Sequence, residues 1–179
     1  MRLRTTSTDF ARGALFGAAG LLLPVVFHAL HLGQIFMPMY LPLVALGFFV
    51  GPRTAGATGL IVPLLSGALT GMPPFYPPIA PIMGVEIGCM AMTIAWMSVR
   101  RPSFPILAVL IPVLLAGRGV NYGLTYVCGL MMDLPAGFLA GLSFFAGWPG
   151  LLLIAVVVPT LVRIMSPPRG IAAEIPPTE

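Results

Sequence analysis

The chain reads as a succession of apolar runs divided by brief breaks of glycine, proline and arginine. The runs occupy 10–32, 37–50, 54–71, 79–99, 104–128 and 150–165. A helix needs about 20 mainly apolar residues to cross the hydrocarbon core of a bilayer. The pattern therefore predicts six spans, the second of them short. Between the last two runs, residues 129–149 are apolar but broken by Pro135, Pro149 and several glycines. Such a stretch predicts a long loop with a short helix at the membrane surface.

The arginines test this count, because basic residues favour cytoplasmic loops. With the N-terminus inside, Arg2, Arg4, Arg12, Arg53, Arg100, Arg101, Arg163 and Arg169 all fall on the cytoplasmic side. If 37–50 did not cross, Arg100 and Arg101 would move outside. The expectation is an all-α polytopic membrane protein with six transmembrane helices and both termini cytoplasmic, in a bacterial inner membrane.

Composition agrees: 58% of the residues are hydrophobic and 8% charged, a membrane profile rather than a soluble one. The 179 residues form a single integral membrane domain, with short tails at about 1–9 and 166–179, and leave no room for a soluble domain. The net charge of +4 comes from dispersed arginines and does not point to nucleic acid. Cys89 and Cys128 have no metal or redox spacing and read as buried small apolar residues. The basic, then apolar N-terminus imitates a secretory signal, but no small-x-small cleavage site follows, so it reads as the first membrane helix.

Small residues recur four apart: Gly13 and Gly17, Ala14 and Ala18, Gly67 and Gly71, Gly84 and Gly88, Gly119 and Gly123. Such pairs let helices approach closely in lipid, and packing within the bundle is their expected use. The first-helix pairs differ, lying near the cytoplasmic end where a partner protein can reach them.

Two charges lie deep in predicted spans. Glu86 falls about 10 Å from the outer start of its helix, and Arg118 about 21 Å from the inner start of an antiparallel neighbour, so the two reach similar depth in the outer half. Intramembrane ionisable residues are costly and mark functional positions by default. The alternatives are a bridge that only orders the bundle and a polar site for a ligand, to which Asn121 and Tyr122 add hydrogen-bonding capacity. His28 and His31 share a helix face near the outer end, with Gln34 following. They have no third metal ligand in a recognisable pattern and are read as lining the outer mouth or sitting at the interface, not as a metal site. In "TGMPPFYPPIAP", Met72, Phe75 and Tyr76 serve either as an apolar lid or as headgroup anchors.

Several of these segments resemble the substrate-binding S components of energy-coupling factor (ECF) vitamin transporters. "GQIFMPMYLPLVALGFFVGP" is similar to the family pattern GQxFLPMHxPVLLAGxxxGP. "PLLSGALTGMPP", "IMGVEIG", "LLAGRGVNYG" and "GWPGLLLIAVVVPTLV" continue the likeness from His28 to Val162. Tyr40 stands where the family usually has histidine, Met90 where tyrosine is common, and Ile154 where glutamine is usual. The resemblance implies a six-helix bundle with a cavity near the outer surface, closed by outer loops. Its substrate would be a vitamin-like small molecule, met by Glu86, Arg118, Asn121, Tyr122, Gln34, Tyr40, His31, Met72 and Phe75. Small residues of the first helix, Ala14 and Ala18 with Gly17 beside them, would contact a transmembrane coupling subunit driven by two cytoplasmic ATPase subunits.

The chain has no phosphate-binding loop of its own, and no cofactor is expected in it. It is read as a transport subunit and not an enzyme. The alternatives are a membrane scaffold acting through its small-residue faces and, from a different class, an intramembrane hydrolase using Ser66 with His28 or His31, although Ser66 lacks a nucleophile-elbow setting.

Overall fold

In a computed structural model of the chain, residues 6–29, 36–145 and 147–165 are described. Among them the chain forms seven helices and no strand: α1 (Ser7–Ala29), α2 (Tyr40–Leu46), α3 (Pro52–Thr70), α4 (Ile79–Arg100), α5 (Ile106–Met131), α6 (Ala136–Phe145) and α7 (Trp148–Met165). The boundaries follow local chemistry. Pro52 opens α3 behind an extended Gly51, where a missing N–H costs nothing. Gly71 closes the same helix at φ 73°, a left-handed conformation that favours glycine. Pro105 precedes α5, and Pro135 precedes α6 after a turn in which Asp133 has φ 52°.

Close approaches fix the directions of the helices. A Cβ added at Gly13 would lie 3.1 Å from Thr54, and one at Gly20 would lie 3.3 Å from Val62, so α1 and α3 run parallel. Gly56 faces Met92, and Gly84 faces Leu60, so α3 and α4 run antiparallel. Where these two cross, a Cβ on Gly59 would sit 2.9 Å from the Gly88 Cα. Their backbones touch there, as small residues permit in lipid. α5 returns antiparallel to α4, and α6 packs back on α5. α7 begins beside Phe36, which a Cβ on Gly150 would meet, and ends beside the start of α1.

The sequence expectation of six spanning helices is corrected by the structure. Among the described residues four helices, α1, α4, α5 and α7, are long and apolar enough to cross a membrane. α3 has 19 residues, but its glycines, threonines and Arg53 lower its hydropathy. Its inner face packs on α1 and α4. The second run forms only a seven-residue helix, about 10 Å long, followed by turns. It nevertheless carries the chain from one end of the bundle to the other: Phe36 lies by α7's start, whereas the Phe49 carbonyl accepts a hydrogen bond from Arg12 Nη1 at 2.9 Å. Leu43, Val44, Ala45 and Leu46 are fully buried. Irregular backbone is tolerated at membrane depth when protein surrounds it, and α2 is enclosed by α1, α3, α4 and α7.

Large apolar side chains lie on the outside, among them Leu22, Leu152 and Val156 at 64%, 67% and 69% exposure, while Glu86 and Arg118 are sealed within. This inversion of the soluble pattern, on helices of membrane length, describes a membrane-embedded protein. Two local expectations are overturned. Cys89 is exposed and Cys128 half-buried, because each sits away from the packed stripe of its helix. Among the described residues nothing packs against Gly119 or Gly123, whereas Gly84 and Gly88 fit the packing expectation.

The glycine contacts give a paired prediction. Gly59→Leu forces α3 away from α4 and should destabilise the protein by about 1–3 kcal/mol. Gly119→Ala, on an open face, should leave stability unchanged or slightly raised. Thermal unfolding of both variants in detergent measures the contrast.

Candidate functional site

Four polar side chains from three helices meet at one point in the bundle. Tyr40 is the first residue of α2, Glu86 lies two turns into α4, and Arg118 and Asn121, three apart, share one face of α5. Arg118 Nη2 forms an ion pair with Glu86 Oε1. The Tyr40 hydroxyl donates to Glu86 Oε2 at 2.5 Å and accepts from Arg118 Nη2 at 3.1 Å. Asn121 Nδ2 donates to Glu86 Oε2 at 2.7 Å. Three donors thus converge on one carboxylate. The Arg118 guanidinium also lies 5.4 Å from the centre of the Tyr40 ring, within cation–π range.

The cluster is enclosed. Glu86 is 0% exposed, Tyr40 and Arg118 1%, and Asn121 5%. Charges in such surroundings are tolerable only when paired and hydrogen-bonded, a condition that this arrangement meets for the carboxylate. Met90 and Ile154 are buried in the same core. Met90 fills the space that a Cβ on Gly117 would take, one residue before Arg118. A solute can therefore reach the cluster only if neighbouring elements move.

Of the site residues read from the sequence, Glu86, Arg118, Asn121 and Tyr40 come together. Tyr122 is exposed, and its ring stacks on Tyr126 with centroids 6.3 Å apart. Met72 and Phe75 are exposed in the loop 71–78. That loop is tied to α3 by the Ser66 hydroxyl, which donates to the Met72 carbonyl at 2.7 Å. Ser66 is the nucleophile of the hydrolase alternative, and this bond is the contact its hydroxyl makes with the loop. His31 and Gln34 lie outside the described residues, and His28 Nδ1 bonds the Pro24 carbonyl of its own helix at 2.8 Å. Ala14 and Ala18 are exposed on α1, whereas Gly17 is on the inner face, where a Cβ would meet Val62 at 3.3 Å. The three do not form one surface.

Sequence reading had Tyr40 near a ligand but missed its bonds to Glu86 and Arg118. Helical spacing relates residues within one element. The entry angle of α2 is a tertiary matter with no local signal.

Comparison with family models, with curated proteins and with solved structures found no match for this chain.

Removing one member of the pair leaves a buried charge alone. Arg118→Ala should cost about 3–5 kcal/mol, while the double variant Glu86→Gln, Arg118→Met should recover most of that loss. Unfolding temperatures of wild type, single and double variants provide the check.

Proposed function

We propose that this chain is the substrate-binding membrane subunit of an ECF-type importer, and that a vitamin-like small molecule engages Glu86, Arg118, Asn121 and Tyr40. The observation that carries the reading is the convergence of four polar side chains, from three helices, at one buried point of an apolar bundle. Intramembrane charges are expensive, and their usual employment is at substrate and ion pathways. An Arg and a carboxylate side by side suit a solute with both polar and ionised groups, set among apolar walls that would supply most of the contact area.

Charge placement supports an orientation. Helix directions bring Arg12, Arg53, Arg100, Arg101 and Arg163 to one end of the bundle. By the positive-inside tendency that end is cytoplasmic, in a bacterial inner membrane, with both termini inside. The loop 71–78 and the start of α4 then face outward, and the solute would enter from that side. Opening requires α2 and the outer loops to part from α4 and α5, exchanging Tyr40 and Asn121 contacts for contacts to the solute. Ala14 and Ala18, exposed on α1, would meet a transmembrane coupling subunit, and two cytoplasmic ATPase subunits would supply the work.

One observation favours a second reading. The cluster is sealed, as a bridge that only orders a membrane scaffold would be. The double variant Glu86→Gln, Arg118→Met separates the two, since it removes both charges together and leaves no orphan. Small molecules released by denaturing the detergent-purified protein are identified by mass spectrometry. Wild type should release one polar solute in stoichiometric amount, and the folded double variant should release little or none. Equal retention by both would assign the pair to structure alone.

A further inference from the structure

The helix packing leaves an apolar groove that runs from the arginine-rich end toward the middle of the bundle, reaching Leu23 and Leu41, between α1 and α7 with α2 as its floor. It is lined by Leu15, Phe16 and Ala19 of α1, Pro42 of α2, and Leu161 and Met165 of α7, and its volume is about 270 Å³. Every side chain lining it is apolar. α1 and α7 are both long and apolar enough to cross a membrane, so this groove opens toward lipid.

A charged residue lies just beyond its end. Arg12 precedes Leu15 by three positions and Phe16 by four, continuing the same stripe of α1 toward the end of the bundle. The guanidinium is held by one bond, from Nη1 to the Phe49 carbonyl at 2.9 Å, and the side chain is otherwise exposed. Among the described residues no carboxylate forms an ion pair with it. Asp9, one turn away, has its carboxylate turned to the Thr6 backbone N–H at 3.4 Å. The remaining guanidinium donors suit a phosphate, which an arginine can bind in two-pronged fashion.

We infer that the groove between α1 and α7 seats one acyl chain of an anionic phospholipid whose headgroup phosphate is bound by Arg12. The charge of this end is complementary to such a lipid, since Arg53, Arg100, Arg101 and Arg163 lie at the same level, and basic sites at the cytoplasmic ends of membrane helices attract anionic headgroups. The inference rests on the membrane placement of α1 and α7 and is independent of the importer reading.

Native mass spectrometry of the full chain in mixed micelles of phosphatidylglycerol and phosphatidylcholine tests it. Wild type should retain phosphatidylglycerol in preference. Arg12→Gln keeps a donor for Phe49 but removes the charge, and should lower that preference about fivefold, the factor corresponding to about 1 kcal/mol for one basic residue, without changing the total lipid bound. Ala19→Trp fills the groove and should remove one bound lipid of either kind. Equal retention of the two lipids by wild type, or an unchanged preference in Arg12→Gln, would overturn the proposal.

Discussion

A carboxylate buried among membrane helices is tolerable only where a countercharge and hydrogen-bond donors reach it together, and for Glu86 these come from two other elements. Arg118 and Asn121 set the register of α5 against α4, and Tyr40 sets where α2 begins. A slip of one residue in α5 would turn Arg118 about 100° away from Glu86 and leave an isolated charge. The apolar contacts around the cluster have no such directionality, so the polar cluster selects one arrangement from many that would bury similar area.

The remaining architecture can be understood around that point. α3 and α4 approach to backbone contact at Gly59 and Gly88, which uses close packing where the hydrophobic effect offers no drive between helices. Beside them α2 is a largely enclosed strut of seven residues, open to the outside at the floor of the groove between α1 and α7. The bundle is thus built on one polar anchor and on the glycine contacts of α3 with α4 and with α1.

Much of this was legible in the residues. The apolar runs located the long helices to within a few positions, because hydropathy in a membrane reports burial in lipid directly. Glu86 and Arg118 fall at a common level on helical rise alone, because antiparallel neighbours of known rise leave little freedom. The run 37–50 misled, since an apolar segment enclosed by protein has the same composition as one enclosed by lipid. Gly119 and Gly123 misled for a related reason: their four-residue spacing describes a smooth helix face without saying whether a partner within the chain covers it. Gly17 was grouped with Ala14 and Ala18 on sequence proximity, although a step of one residue on a helix is a large rotation.

Whether the polar cluster is a solute site or a fixed bridge depends on whether it ever opens, and accessibility at Asn121 tests this most directly. In a background with Cys89 and Cys128 replaced by alanine, a cysteine at position 121 is exposed in native membranes to a small, membrane-impermeant thiol reagent applied from either side. A cluster that opens to a solute gives slow labelling from the side opposite the arginine-rich end. A thiol that reacts from neither side, in a protein whose fold is intact, would contradict a solute site.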